Sequence, residues 1–599
     1  MIYHCEDHTC NYWDEGEKLP ERCPQCGRKL LRANEADMTG DDWTALGNTL
    51  WDAEASDKKR MVDCFRKAAY LGSAWGVCNL GICMEQGNGV EADPVQAFWL
   101  YQQAVEMGSL NAVCCLGVCY EYGIGTAPDA EKAAELYCKA AEYGSPRGQM
   151  LLARAFHDGI GVEADAAEAV YWVRAAAYQR YGEGMHRLGV CYACGDGVEQ
   201  NWEHAVHWFR EAAESGVSAA MAVLGYCYEK GCGVEQSWEQ AFSWYRRGAE
   251  CGNPVSMSNL GLCYKRGYGV EQNWQEAIKW YEQGAQCGDL QSMHNLACCY
   301  ERGEGVEQNE ERALYWYRRS AEGGNGDAMC NLGRCYERGY GVEQNWQEAV
   351  KWYEQGAQCG NLQSMHSLAY CYERGEGVKQ NMTEAIRWYT AAAEGGNADA
   401  MHNLGWHYDY GEGVEQDMKK AICWYERAAE QNHPAAMNSL GECYAMGLGV
   451  PRDLETAMEW YRRAAELGEA MADYNMGWHL EQAGKLSEAY AHYRKAADGN
   501  DDSAWWALGR FYENGVVVAQ DGKEARRCYE TGEKLGSVKC KMRLARCKLL
   551  GIGGRRAKKA GLDLCRQALE LAKESSEKED YGYEAEMNLL RRTIAENES

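Results

Sequence analysis

The sequence predicts an all-α solenoid of paired helices, and three features carry that prediction. A Leu-Gly, Leu-Ala or Met-Gly pair recurs in steps of 36 residues from Leu80 through Leu116, Leu152 and Leu188 to Leu440 and Met476. Tryptophan keeps the same interval at Trp172, Trp208, Trp244 and Trp280, and on to Trp460. Proline numbers only 8 in 599 residues, as an almost unbroken run of helices requires. With Leu46 before the series and Leu508 and Leu544 after it, about fifteen units are expected. A period of this length marks an array in which each unit packs on its neighbours.

One unit, Met257 to Gly288, shows how the pattern makes two helices and a turn. Met257, Leu260, Gly261 and Tyr264 fall at i, i+3, i+4 and i+7, one face of an α-helix. Gly267-x-Gly269 ends that helix, because glycine tolerates the positive φ of a tight helix terminus. Asn273, with Glu276 three residues on, has the spacing of an N-cap and its box partner. Ala277, Trp280, Tyr281 and Ala285 then line the apolar face of a second helix. Neither helix can bury its face alone, so each must find cover on its partner and on the next copy.

The string Leu-Gly-x-Cys-Tyr-x-x-Gly-x-Gly-Val, followed by Ala-x-x-Trp-Tyr-x-x-Gly/Ala-Ala-x-x-Gly, resembles the Sel1-like repeat, which is similar to the tetratricopeptide repeat. The resemblance spans roughly residues 42–574. It implies a right-handed α/α superhelix with a concave groove, and an adaptor role in assembling protein complexes.

Composition narrows the partners. A net charge of −28 argues against nucleic acid or an anionic membrane as a broad partner, since phosphate contacts need Lys and Arg on the binding face. No apolar run approaches the ~20 residues of a membrane span. Residues Met1 to His8 carry neither a basic n-region nor an apolar h-region, so a cytoplasmic location is expected. The 30 cysteines do not read as a disulfide framework. Nine of them within the series from Leu80 to Met476, including Cys83, Cys119, Cys227 and Cys263, share the column three residues after the motif leucine, where one copy has Ala155. That pattern is a compact hydrophobe at a helix–helix contact. Disulfide-bearing family members pair a cysteine ending one repeat with one in the next. Here Ser258, His294 and His366 stand near where partners of Cys251, Cys287 and Cys359 would be, so reduced thiols are expected.

Residues 1–33 lie outside the array and resemble a zinc ribbon. Cys23-Pro-Gln-Cys26-Gly27 is a zinc knuckle, and with Cys5 and Cys10 it could close a tetrahedral Cys₄ site of structural zinc. The first pair is two residues longer than the usual spacing, so His8 or His4 could replace Cys10. Residues 34–41 read as a polar hinge, 42–574 as the array and 575–599 as a capping helix over its last exposed face. Segments 269–288 and 341–360 are almost identical, so a two-unit module has been duplicated and unit number has been adjustable. That suits a binding surface more than a fixed catalytic pocket.

Alignment with the tetratricopeptide repeat implies which first-helix positions line the groove. They place His294, His366 and His402 two residues before the motif leucine, and Arg334, Tyr370 and Trp406 two after it. Asn295, Asn331 and Asn403, just before the leucine, could hold an extended peptide through amides that both donate and accept, or could satisfy neighbouring turns. Equivalent histidines on successive helices, ~10 Å apart, cannot share a metal. No Cys–His or Ser–His–Asp set stands outside the repeat columns, so no catalytic residues are expected. A second column, Trp202, Trp238, Trp274 and Trp346, either staples turns or forms a partner ridge. The function expected is a protein- or peptide-binding scaffold. The alternatives are an exported bacterial repeat protein engaging host proteins and, further off, an enzyme with an unrecognised site.

Overall fold

The computed structural model describes residues 2–5, 13–15, 30–32, 35–51, 55–578 and 584–598, and divides into two compact units, Met1–Gln308 and Asn309–Ser599. Among the described residues thirty helices alternate as first and second members of a pair from Gly40 to Lys578, and a thirty-first spans Glu584–Glu598. The unit boundary falls inside the repeat that begins at Leu290.

Within each unit the repeat is set by local chemistry. In the first unit, Pro254–Arg266 and Trp274–Gln286 form one pair. Asn253 caps the first of these helices by accepting from the Ser256 N–H at 2.8 Å, and Gly267 ends it at φ +73°. Asn273 caps the second through the Glu276 N–H at 3.1 Å. Only this half of the expected capping box forms, because Glu276 turns to Lys279 at 3.3 Å instead. Gly269 has a different task. A Cβ there would lie 2.2 Å from the Trp238 carbonyl oxygen, so each turn rests on the first turn of the second helix one repeat earlier.

The core is a stack of the repeated columns. Leu260, Cys263, Tyr281 and Ala285 are buried, and a Cβ on Gly261 would meet the Tyr281 ring at 2.5 Å. Glycine there is a demand of packing between the two helices. Twenty-six cysteines from Cys64 to Cys565 are free thiols, and burial pushes those of Cys119, Cys227 and Cys263 up to about 12.

The ends differ in part from expectation. The first array helix starts at Gly40, inside the expected hinge, because Thr39 and Asp42 form a complete capping box. A short 3₁₀ turn, Glu35–Asp37, precedes it. Helix Lys558–Lys578 runs through the boundary expected at 574, since neither glycine nor proline stands between Leu562 and Lys578. The closing helix is Glu584–Glu598. It buries Met587 and Leu590 against Met542 and Leu549, and Arg543 Nε donates to Glu586 at 2.6 Å.

At the N-terminus β1 (Ile2–Cys5), β2 (Trp13–Glu15) and β3 (Leu30–Arg32) form an antiparallel sheet in the order β2-β1-β3. Tyr3 stands opposite Asp14 on one side and Arg32 on the other. Cys5 is the last residue of β1, whereas Cys10, Cys23 and Cys26 fall outside the described residues, and so therefore does the expected zinc site. No helix among the described residues is long and apolar enough to cross a membrane.

Candidate functional site

The face formed by the first helices carries the columns singled out for binding. The motif leucine, its glycine and the cysteine point into the core, which leaves the residues two before and two after the leucine on the opposite side and the one before it beside the cysteine. In the second unit Leu368 and Cys371 are buried, while His366, Tyr370, His402, Asn403 and Trp406 are half-buried. The same holds for Asn331 and Arg334. His294 and Asn295 have equivalent positions in the first unit and are also half-buried.

Several of these side chains bond to the next repeat. Asn403 Nδ2 donates to His366 Nε2 at 3.1 Å, and Ser439 Oγ lies 3.4 Å from His402 Nε2. His402 also stacks on His433 with centroids 5.1 Å apart, and His433 Nε2 reaches Asp399 Oδ1 at 3.1 Å. The row continues as Asn475 Nδ2 donates to Asn438 Oδ1 at 3.0 Å. Both asparagines also donate to Glu442, at 3.1 and 3.0 Å. The Asn403–His366, Ser439–His402 and Asn475–Asn438 pairs each join residues 37 apart in sequence, one repeat plus one step along the helix. Burial, joined by the charge of His433, holds His402 down to about 4, and burial also lowers His366, so both rings are neutral near pH 7. Burial raises the Glu442 carboxyl despite its two amide donors.

The remaining predicted residues make local contacts. Arg334 donates to Asn331 Oδ1 at 3.0 Å. Gln291 reaches both His294 Nδ1, at 3.3 Å, and Asn295 Oδ1, at 3.2 Å. Tyr370 lies under the Arg374 guanidinium at 5.3 Å, and Trp406 packs on Tyr410 with centroids 4.9 Å apart. Tyr370 and Trp406 therefore keep aromatic surface on this face without a bond to an adjacent repeat among the contacts above. Among the described residues no group of three or more His, Cys, Asp or Glu is placed to hold a metal.

The second tryptophan column is half-buried against turns. Trp238 stacks on Tyr268 at 4.1 Å, and a Cβ on Gly305 would meet Trp274 Cβ at 2.5 Å. Its position is that of a staple on the next repeat's turn.

One recurring feature escaped the sequence reading. The buried second-helix tyrosine donates to a carboxylate on the first helix of its own repeat: Tyr101 to Glu85 at 2.6 Å, Tyr137 to Glu121 at 2.6 Å, Tyr389 to Glu373 at 2.7 Å. The signal was present, as an acid five residues after the leucine and a tyrosine sixteen beyond it. Where that acid is Lys265, the Tyr281 hydroxyl is buried without a partner.

Comparison with known proteins agrees with this geometry. The Sel1 repeat profile matches thirteen copies, at 76–109 and 112–145, nine consecutive copies from 146 to 469, then 470–501 and 504–537. The chain is similar to a solved protective antigen of uropathogenic Escherichia coli displaying an SLR fold. The two share 32% identity over 75% of this chain and 97% of that one, with a TM-score of 0.52. A Sel1 repeat protein from Oxalobacter formigenes is 32% identical over 41% of this chain and 96% of that one, with a TM-score of 0.37. An immunity protein from Pseudomonas aeruginosa is 19% identical over 36% and 81%, with a TM-score of 0.28. Among curated protein sequences none matches.

Proposed function

The chain belongs to the Sel1 repeat family, and from that premise we propose that it is an interaction scaffold whose first-helix face holds a protein or peptide. Repeat folds of this class are typical of such scaffolds. The observation that carries the reading is the pair Tyr370 and Trp406, half-buried aromatics on adjacent first helices. Aromatic residues of this kind are the usual energetic anchors of an interface. Arg334 and Asn331 supply polar groups on the same face of the second unit, and His294 and Asn295 hold the equivalent positions in the first. His366, His402 and Asn403 play a double part, since they also tie neighbouring repeats together.

The test follows from that division. Tyr370→Ala with Trp406→Ala removes both anchors and leaves the inter-repeat bonds of His366 and His402 in place. Truncated anchors cost ~2 kcal/mol or more each, so a partner recovered by affinity capture should bind at least about a hundredfold more weakly, and about a thousandfold if the two add. Tyr315→Ala, on an exposed second-helix position, is the control. Loss of the partner in the control alone would move the binding surface to the second helices.

A second reading has one observation in its favour. The E. coli relative is a protective antigen, and an exported array that meets host proteins would use the same face. Fractionation of the source cells decides between the two locations.

For the N-terminal segment the proposal is one structural zinc on Cys5, Cys10, Cys23 and Cys26, with His8 or His4 as the substitute for Cys10. Thiolate chemistry and the Cys23-Pro-Gln-Cys26 spacing support it. Four protein ligands would leave no open position for catalysis.

A further inference from the structure

The second-helix column that runs from Phe65 to Tyr529 holds an aromatic ring in every repeat but one, where Val173 stands. Elsewhere the ring fills the space between the two helices, as Tyr137 does against Gly117 and Phe209 against Gly189. Around Val173 both companions of the ring have changed as well. The glycine of the motif is Ala153, and the position of the tyrosine's carboxylate partner is His157. His157 turns outward, with Nδ1 2.6 Å from Asp158 Oδ1 and Nε2 3.2 Å from Asp196 Oδ2.

The space vacated by the ring is part of a cavity of about 640 Å³ in the first unit. Its inner wall is apolar, made by buried Ala153, Val170, Val173 and Cys191. Its rim carries three guanidinium groups, from Arg147, Arg154 and Arg187. The acids at the rim are already engaged: Asp158 and Asp196 by His157, and Glu183 by the Tyr181 hydroxyl at 3.2 Å. The donors are not. Arg154 reaches Tyr122 and Glu121, but its Nε is buried without a partner. Half-buried Arg187 has no hydrogen-bond or ion-pair partner among the described residues. Arg187 therefore presents an unengaged guanidinium to this cavity, and guanidinium forks match carboxylates.

We propose that the cavity is a binding site for a small aryl carboxylate. The ligand's ring occupies the place that tyrosine takes in other repeats, and its carboxylate meets Arg187. The volume lies within the range of small-molecule sites, as does the combination of an apolar wall with a few convergent polar groups. This site is separate from the protein-binding reading and stands or falls without it.

Calorimetric titration of the full chain with 2-naphthaleneacetate tests the proposal, with 2-naphthaleneethanol as the neutral twin. Saturable one-site binding of the acid is expected, with the alcohol at least tenfold weaker. Arg187→Gln should weaken the acid by about tenfold, the scale of one charge-assisted hydrogen bond. Val173→Tyr should abolish binding by restoring the missing ring. That variant is compatible with the fold, because Ala297 and Ala369 stand before Tyr317 and Tyr389 in the same relation as Ala153 to residue 173. Should it nonetheless fail to fold, Val173→Phe, the ring found at Phe209, serves in its place. Unchanged binding in the filled variant, equal binding of the alcohol, or no binding of the acid at millimolar concentration would each overturn the assignment.

Discussion

Three glycines of one repeat separate backbone strain from inter-repeat contact. Gly267, Gly269 and Gly288 have φ of +73°, +68° and +86°, so alanine at any of them incurs the same left-handed penalty, about 1–2 kcal/mol. What differs is the space for a Cβ. At Gly288 nothing lies within 4 Å, and at Gly267 the nearest atom is the Val270 carbonyl oxygen at 3.5 Å, an ordinary contact. At Gly269 the Cβ would sit 2.2 Å from the Trp238 carbonyl oxygen and 2.5 Å from its carbonyl carbon. Those atoms are backbone and cannot rotate away, so turn and helix must part by about an ångström. Overpacking of that kind costs ~1–3 kcal/mol beyond the strain. Because an array unfolds repeat by repeat, hydrogen exchange read by mass spectrometry is the suitable assay. Gly269→Ala should speed exchange in helix Trp238–Glu250 and in its own turn by roughly five- to a hundredfold over Gly267→Ala. Gly288→Ala should resemble Gly267→Ala. Equal exchange in all three variants would refute the idea that the second glycine of the turn sets the contact between repeats.

Other outcomes follow from single contacts. Tyr389→Phe removes the donor to half-buried Glu373 and should cost ~1–2 kcal/mol in denaturant unfolding, whereas Tyr281→Phe, which deletes a hydroxyl without a partner, should be neutral or stabilising. His402 has an ordinary value of 6.5 and a folded value of about 4, so the unfolded chain binds the extra proton between them. Stability of the second unit should therefore fall as pH drops from 6.5 to 4, by up to roughly 3 kcal/mol, and His402→Gln should flatten that slope. Metal analysis of the purified chain should find about one zinc, and Cys23→Ser with Cys26→Ser should lose it while the helical signal stays; full occupancy in that variant would end the zinc proposal.

The array itself was written in the sequence because each repeat solves the same local problem with the same residues. Leu260, Gly267, Asn273 and Tyr281 each announce a helix face, an end, a start and a core by residue type and spacing alone. The copies make that signal additive, so the number of helix pairs could be counted before any coordinates. Boundaries at the ends were less legible. Thr39 and Asp42 cap a helix earlier than the apolar pattern begins, and Lys558–Lys578 continues past its last apolar residues because nothing stops it.

What a side chain does across repeats was decided only by tertiary structure. The histidine and asparagine columns could serve a ligand or the array, and spacing cannot distinguish the two. Folding places residues 37 apart in hydrogen-bond reach, so His366, Asn403, His402 and Ser439 bond across repeats while Tyr370 and Trp406 keep aromatic surface on the face. Val173 makes the same point from the other side. In the sequence it is one apolar residue among many in a buried column, and its consequence depends on volume. A missing ring is not refilled by its neighbours, since those neighbours are held by the contacts of their own repeats. The deficit therefore persists as a cavity rimmed with arginine.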